Sequence, residues 1–351
     1  MKNFLSDNAA AIHPAVLAKI AEVNQGYAPA YGEDYYTQQA VSLFRQHFGN
    51  DIKVFFVLTG TAANVIALQS VMRSFEAVIA ADCSHLQLDE CGAAEKFLGS
   101  KLLLARTEQG KLTPETIAPL LRDTAMVHRA QPRVLSITQC TEWGTLYTPE
   151  EIRALSELCR KHHLLLHMDG ARLCNAAVAL GLSLQEASVE LGVDILSFGG
   201  AKNGLMAAEA IVFFRAELAK NTGFYRKQGM QLMAKMRFVA AQFIALMEGD
   251  LWRQNARHAN AMARLLREKT EDVVEIVAPV ETNVVFARLQ ADRIPGLHEN
   301  FDFAIWNTNE SIVRWMTAFD TTEQDVTDFA TEIRETVTAI TKPRHKFETN
   351  E

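Results

Sequence analysis

The chain contains 351 residues, of which 48% are hydrophobic and 22% are charged, and its formal net charge is −7. This length favours a large domain beside a smaller one, and the composition is typical of a globular protein. The acidic balance and the lack of a long Lys/Arg run argue against nucleic-acid binding, and no apolar run is long enough to span a membrane.

The cysteines and the first residues bear on location and on metal binding. The cysteines lack Cys-x-x-Cys spacing, which predicts reduced, mostly buried thiols and argues against a structural zinc site. Residues 1–7 (MKNFLSD) lack the apolar core of a signal peptide. We therefore expect a cytoplasmic protein without a bound metal. The cysteines are Cys83, Cys91, Cys140, Cys159 and Cys174.

Strand and helix patterns alternate over the first two-thirds of the chain. An irregular arm with one short helix, at about 14–23, precedes a helix at 36–48. Short apolar runs bounded by turn residues then predict buried strands, and helices are predicted between them, one of which carries Asp89 and Glu90. The predicted strands are residues 54–58, 77–80, 102–105, 133–138, 164–169, 194–199 and 210–214.

The last third of the chain has a different pattern. It is helical from about 224 to 266, and shorter strand candidates and a closing helix from about 323 follow. The whole pattern predicts an α/β fold with a mostly parallel mixed sheet and helices on both faces, plus a smaller C-terminal α+β domain. We place the large domain, including the N-terminal arm, at 1–250 and the small domain at 251–351.

Two of the predicted strands end in residues that suit one chemistry. Residues 164–172 (LLLHMDGAR) and 194–202 (DILSFGGAK) are apolar runs followed by polar groups and glycine. Ligands of an open α/β sheet bind beyond the carboxyl ends of its strands, so Asp169, Arg172 and Lys202 should meet there. An amine for a Schiff base and a carboxylate for a pyridinium nitrogen suit pyridoxal 5′-phosphate (PLP). The simpler alternatives are a solvated lysine, a carboxylate that binds magnesium, and a surface ion pair of Arg172.

A possible phosphate site follows the predicted strand 54–58. The turn at 59–61 (TGT) leads into a helix, and a helix N-terminus attracts anions through its free N–H groups and its dipole. The turn has neither the nucleoside-triphosphate loop pattern nor the dinucleotide pattern. Without Lys202, an ordinary capped helix would be the preferred interpretation of this turn.

Several segments together resemble the low-specificity L-threonine aldolases, which belong to the β-eliminating lyase group of fold-type-I PLP enzymes. The resemblance covers nearly the whole chain and departs from the family at Ala201, where a threonine is expected. The change removes a hydroxyl that could contact the phosphate. The resembling segments are 6–8 (SDN), 31–34 (YGED), 59–64 (TGTAAN), 84–92 (SHLQLDECG), 167–173 (HMDGARL), 197–204 (SFGGAKNG) and the segment around Arg314.

The resemblance implies an aspartate-aminotransferase-like large domain and a role for each matching residue at the cofactor. Lys202 would form the Schiff base, and Asp169 would pair with the pyridinium nitrogen. Gly60 and Thr61 would bind the phosphate, and His85 would stack on the ring.

The resemblance also implies residues at the substrate. Ser6, Arg172 and Arg314 would bind the amino-acid carboxylate, with Arg172 also beside the cofactor. Fold-type-I relatives build their sites at a subunit interface, so a homodimer or homotetramer is implied. Tyr31 could then belong to a neighbouring subunit's site.

The implied activity is that of a PLP-dependent aldehyde-lyase, which cleaves L-threonine or L-allo-threonine to glycine and acetaldehyde. The base that takes the hydroxyl proton would be His85, His128 or a water between them. His128 by its local sequence alone is a structural or surface histidine. The alternatives are another PLP reaction, such as phenylserine cleavage or β-elimination, and a PLP-independent ligand-binding protein.

Overall fold

The fold is that of a computed structural model, which describes residues 2–122 and 125–338. The strands are β1 (Lys2–Asn3), β2 (Lys53–Val57), β3 (Glu76–Ala81), β4 (Lys101–Ala105), β5 (Gln131–Thr138), β6 (Leu165–Gly170), β7 (Ile195–Gly199), β8 (Glu209–Phe213), β9 (Glu275–Ile276), β10 (Val284–Arg288), β11 (Phe301–Asp302), β12 (Ala304–Asn307) and β13 (Ile312–Met316). The α-helices are α1 (Pro14–Val23), α2 (Tyr35–Phe48), α3 (Gly60–Gln69), α4 (His85–Leu88), α5 (Ala93–Leu98), α6 (Pro114–Ile117), α7 (Pro149–Lys161), α8 (Leu173–Leu180), α9 (Thr222–Gln228), α10 (Arg237–Met247), α11 (Leu251–Thr270), α12 (Ile294–Leu297) and α13 (Glu323–Thr338).

The main sheet has seven strands in the order β2-β8-β7-β6-β5-β3-β4. β8 is antiparallel to both of its neighbours, and the other adjacent pairs are parallel. Side chains of β8 alternate between two hydrophobic cores, because Val212 lies in one and Ile211 and Phe213 in the other. Helices contribute to both cores, so the predicted mixed sheet with helices on both faces is confirmed.

A second, smaller core forms in the C-terminal part of the chain. The strands β12-β13-β10-β9 form an antiparallel sheet, and Trp315 of this sheet packs with Leu266 and Phe329 from helices α11 and α13. Phe4 of the N-terminal arm joins the same core, so the arm reaches across to the small sheet. The division at residue 250 stays a prediction.

The structure differs from the predicted helices at two places. The helix expected to carry Asp89 and Glu90 stops at Leu88, and Cys91 and Gly92 just beyond it adopt positive φ angles of 52° and 66°. The long helical region after residue 224 is divided into α9, α10 and α11: residues 229–236 separate the first two, and Gly249, whose φ is 66°, lies between the last two. A residue in the left-handed region cannot continue an α-helix, so the helical pattern is interrupted at these positions.

We expect Phe44→Ala to lower the free energy of unfolding by about 3–5 kcal/mol, because it opens a cavity in the larger core. Phe44 is 0% exposed, and its ring centroid lies 5.1 Å from that of Phe243 and 5.5 Å from that of Phe198. Denaturant unfolding measures the change. Phe75→Ala is the control, since Phe75 is 56% exposed, and equal losses in the two variants would contradict the assignment of the core.

None of the helices in residues 2–122 and 125–338 combines the length and the apolar character needed to cross a membrane. The same residues include no group of three His, Cys, Asp or Glu side chains suited to hold a metal ion. All five cysteines are free thiols, and Cys140, Cys159 and Cys174 are buried.

Candidate active site

A cavity of about 360 Å³ opens at the carboxyl ends of β2, β6 and β7. Five of the residues predicted from the sequence line it: Gly60, Thr61, His85, Asp169 and Lys202. Parallel strands bring their carboxyl ends to one edge of a sheet, so residues that are far apart in the chain meet there. The cavity therefore combines an amine, a carboxylate, an imidazole and a helix N-terminus.

Asp169 is held in one orientation by its neighbours. It is 6% exposed, its Oδ1 accepts a hydrogen bond from the backbone N–H of Ala171 at 3.0 Å, and its Oδ2 accepts one from Asn64 Nδ2 at 2.8 Å. A buried carboxylate that is fixed in this way can hold a proton on a ligand nitrogen. This is the environment that a pyridinium ring requires.

The helix α3 begins at the turn where the sequence predicted an anion site. Thr59 is its N-cap residue, and the Thr59 hydroxyl accepts a hydrogen bond from the backbone N–H of Ala62 at 3.2 Å. Gly60 and Thr61 occupy the first turn and line the cavity. Free N–H groups in a first turn, together with the helix dipole, favour a phosphate group.

Lys202 lies in a one-turn 3₁₀ helix, Ala201–Asn203, immediately after β7. The turn packs closely on the loop that follows Asp169, since a Cβ atom at Gly199 would overlap the backbone of Ala171. Gly204 ends the turn with a φ of 98°. Glycine is therefore needed on both sides of Lys202, for close approach before it and for a left-handed residue after it.

His85 is the centre of a hydrogen-bond network that includes two acids. Its Nδ1 lies 2.8 Å from Glu90 Oε1, and its backbone N–H donates to Glu142 Oε1 at 2.9 Å. The hydrogen bond with Glu90 raises the pKa of His85, although burial lowers it. Asn64 Nδ2 donates to both Glu90 Oε1 and Asp169 Oδ2, so the network connects the histidine to the carboxylate at the far side of the cavity.

We expect Glu90→Gln to lower the pKa of His85, because a neutral amide stabilises the imidazolium less than a carboxylate does. The imidazole signals followed by NMR across pH 5–9 measure the change, with His85→Asn used to assign them. Glu150→Gln removes an exposed acid on α7 and serves as the control. An unchanged pKa in Glu90→Gln would contradict the assignment of Glu90 as the partner.

Arg172 is engaged within the protein in a way that the sequence did not indicate. Its Nε and Nη2 donate to the two carboxylate oxygens of Asp7 at 2.7 and 2.8 Å. Burial raises the pKa of Asp7, but the charge and hydrogen bonds of Arg172 outweigh burial and hold this pKa below its usual value. Arg172 is therefore first a structural partner of the N-terminal arm.

Arg314 has more donor capacity left for a ligand. Its Nη2 donates to the carbonyl oxygen of Leu5 at 3.2 Å, and its guanidinium lies 5.3 Å from the ring centroid of Trp306. Its Nε is buried without a hydrogen-bond partner in the part of the chain that the structure describes. Burial and the nearby charge of Arg172 lower the pKa of Arg314.

Neither Arg172 nor Arg314 is among the residues that line the cavity, and the remaining predicted residues also lie outside it. Ser6 is the N-cap of the 3₁₀ turn Asp7–Ala9, where its hydroxyl accepts from the N–H of Asn8. Tyr31 is 49% exposed. His128 is exposed, precedes the amino end of β5 and lines a different cavity with Arg122. Because this cavity lies at the opposite edge of the sheet, the structure does not bring His128 to the site of its own chain.

Several polar residues that surround the site were missed as functional residues. The short predicted helix over Asp89 and Glu90 hid the role of Glu90, and Asp7 gave no local signal of its long-range partner. Asn64 has a recognisable signal, since it is a polar residue one turn into an apolar helix that follows the predicted anion site. The missed residues are Asp7, Asn64, Glu90, Glu142 and Glu209.

Comparison with known proteins places these features in a family. Residues 3–292 match the family model of the Beta-eliminating lyases. The chain is 44% identical to the low specificity L-threonine aldolase of Pseudomonas aeruginosa over 95% of this chain and 97% of that protein. It is 41% identical to the low specificity L-threonine aldolase of a Pseudomonas species over 96% and 99% of the two chains.

Solved structures agree with this placement. The threonine aldolase of Leishmania major superposes with a TM-score of 0.91 at 30% identity, covering 96% of this chain and all (100%) of that one. The aspartate aminotransferase of Thermus thermophilus superposes with a TM-score of 0.70 at 14% identity over 93% and 89%, which supports the fold alone. With a family match over most of its length and relatives above 40% identity, the chain belongs to the β-eliminating lyase family.

Proposed function

We propose that this protein is a PLP-dependent aldehyde-lyase that cleaves L-threonine and L-allo-threonine to glycine and acetaldehyde. The observation that carries the proposal is the meeting of Lys202, Asp169 and the first turn of α3 in one cavity. An amine, a fixed carboxylate and an anion site are the three groups that PLP needs from a protein. The low specificity L-threonine aldolases to which the chain is similar support the choice of substrate.

Five residues of the cavity have a defined task in this reaction. Lys202 presents the amine that binds the cofactor covalently, Gly60 and Thr61 bind its phosphate, and Asp169 holds a proton on its ring nitrogen. The bound cofactor supplies an electron sink for the electron pair of the Cα–Cβ bond that breaks. His85, which lines the same cavity, would take up the substrate hydroxyl proton, directly or through a water.

The electrostatics of the cavity support His85 as the base. Glu90 binds Nδ1 and so leaves Nε2 as the nitrogen for the substrate proton. The carboxylate of Glu90 stabilises the imidazolium that forms when His85 accepts the proton. Arg314, with a free Nε donor, binds the carboxylate of the amino acid. His128 has no role in this reaction within its own chain, because it lies at the other edge of the sheet.

The experiment that tests the proposal uses the purified protein with PLP and L-threonine. We expect absorbance of the lysine-bound cofactor and release of acetaldehyde, followed with an alcohol dehydrogenase and NADH. Acetaldehyde formation from L-allo-threonine and cleavage of phenylserine define the substrate range. Bound cofactor without any aldehyde product would shift the assignment to β-elimination, and no bound cofactor would support a PLP-independent ligand-binding protein.

We further propose that the protein is a homodimer or homotetramer in the cytoplasm. Two segments that contact each other carry exposed apolar side chains: Tyr31, whose ring centroid lies 5.0 Å from Lys227 Nζ, and Phe224 and Met230, which are 71% and 79% exposed. Contiguous exposed apolar surface is typical of an interface. Tyr31 would then face the cavity of the neighbouring subunit. Light scattering measures the mass in solution, and a monomer would refute the assignment.

A further inference from the structure

Glu209 is a buried acid at the cavity that the proposed mechanism does not use. It is 7% exposed and lines the cavity with Thr61 and Lys202. As the first residue of β8 it pairs with Val57 of β2 and with Gly199 of β7. Glu209 therefore lies between the two strands that lead into the phosphate-binding turn and into the turn of Lys202.

The Glu209 carboxyl group is fixed against the turn that carries Lys202. Its Oε2 accepts a hydrogen bond from the backbone N–H of Gly200 at 2.8 Å. The titratable groups that act on it are Lys202, Asp169 and, from helix α8, the thiol of Cys174. Neither an arginine nor a second lysine is among these groups, so no guanidinium fork holds Glu209 as a carboxylate.

Burial raises the pKa of Glu209 to about 7, and Asp169 adds to the shift, whereas the backbone N–H groups of Gly200 and Ala201 and the charge of Lys202 oppose it. Near neutral pH the side chain is therefore divided between the acid and the carboxylate. A negatively charged phosphate group that binds in the same cavity would repel the Glu209 carboxylate. The protonated acid, in contrast, can donate a hydrogen bond from its O–H to a phosphate oxygen. Ala201, which precedes Lys202 in this turn, has a methyl side chain that cannot donate a hydrogen bond to the phosphate.

We propose that Glu209 binds the phosphate group of the cofactor as a neutral carboxylic acid, with one oxygen held by Gly200 and the O–H on the other oxygen donated to the phosphate. The inference rests on the proposed PLP site and adds a specific consequence to it. One proton is taken up from solvent when the phosphate binds to the deprotonated form. The affinity for the phosphate group is then highest at pH values below the pKa of Glu209. It falls as the pH rises through this pKa, by up to about tenfold per pH unit.

Binding of pyridoxine 5′-phosphate tests this role without the chemistry of Lys202, because this molecule lacks the aldehyde. Calorimetric titration between pH 6.5 and 9, in buffers with different protonation enthalpies, measures both the affinity and the number of protons taken up. We expect uptake of a proton by the unaltered protein above pH 7. We also expect an affinity that is about 100-fold lower at pH 9 than at pH 6.5.

Glu209→Gln keeps an oxygen for the Gly200 N–H and adds a neutral donor. This variant should retain its affinity up to pH 9 without the additional proton uptake, whereas Glu209→Ala should bind weakly at every pH. Equal pH dependence and equal proton uptake in the unaltered protein and Glu209→Gln would overturn the role of Glu209.

Two further comparisons keep the outcomes distinct. Pyridoxine, which lacks the phosphate, should bind without this proton uptake; equal uptake with both ligands overturns the inference even if Glu209→Gln fails to fold. Failure of pyridoxine 5′-phosphate to bind at any pH would overturn the PLP site and this inference together. Proton-linked binding without acetaldehyde formation from threonine would instead sustain the role of Glu209 and overturn only the proposed reaction.

Discussion

Replacing Lys202 with alanine is expected to abolish the absorbance of the lysine-bound cofactor and to lower kcat for threonine cleavage by on the order of 10⁴-fold. No other lysine among the described residues lines the cavity, so no other side chain there can supply the amine. Removing a nucleophile that works as a unit with its neighbours typically costs a factor of this size. Visible spectra and acetaldehyde release measure the two effects.

The matched control is Lys53→Ala, at the exposed amino end of β2, on the opposite edge of the sheet. It removes the same charge and should leave both the spectrum and kcat unchanged. Denaturant unfolding of both variants separates loss of chemistry from loss of fold. If Lys202→Ala retained the absorbance band and released acetaldehyde at a comparable rate, the assignment of the cofactor lysine would be wrong.

The second large effect is expected at Arg172, and it concerns stability. Arg172→Ala should lower the free energy of unfolding by about 3–5 kcal/mol, because it leaves the Asp7 carboxylate buried without its cation. Asp7 is 2% exposed and retains the hydrogen bond from Asn283 Nδ2 at 3.1 Å. One amide donor does not compensate a buried charge. Urea unfolding at neutral pH measures the loss.

The pH dependence of this stability has a definite sign. The folded-state pKa of Asp7 is lowered, so the ion pair contributes stability above the unfolded pKa, near 3.8, and the contribution is lost as the pH falls through the folded pKa. Arg172→Ala removes the largest of the causes that lower this pKa, while the charge of Lys202 and the hydrogen bond from Asn283 remain. The difference in stability between the two proteins should therefore be largest at neutral pH and shrink below pH 4.

A double-mutant cycle and a second arginine make this prediction specific. Asp7→Asn combined with Arg172→Ala should recover part of the loss, because the amide needs no cation. Arg314→Ala should instead raise KM for threonine by about 100-fold with a small change in stability, since this guanidinium has a donor free for the substrate. Equal stability losses at both arginines would reject the distinction between them.

The local patterns that were sufficient to predict structure are those of the strands and of the residues at their ends. An apolar run that ends in Asp169-Gly170, or in the glycines before Lys202, predicts a buried strand and a turn from neighbouring residues alone. The topology rule for α/β sheets then brings such ends together without knowledge of the packing. The mixed sheet, the position of Gly60 at a helix N-terminus and the meeting of Asp169 and Lys202 at one cavity could be predicted in this way.

Side-chain partners far apart in the chain could not be predicted. Asp7 and Arg172 are 165 residues apart, and no periodicity marks which carboxylate an arginine will meet. Glu90 was assigned to a helix that ends before it, because no local pattern marks the positive φ angles of Cys91 and Gly92. His128 carries no local mark that distinguishes one edge of the sheet from the other.

The sequence by itself determined the fold class and the strand ends and helix N-terminus that line the cavity, because strands, turns and helix caps arise from contacts between near neighbours. Only the tertiary structure decided which charged groups are free to act. It engages Arg172 with the N-terminal arm, leaves a donor of Arg314 available and places Glu209 between the phosphate turn and Lys202. These outcomes depend on desolvation and on distances between strands, which the order of residues along a chain does not encode locally.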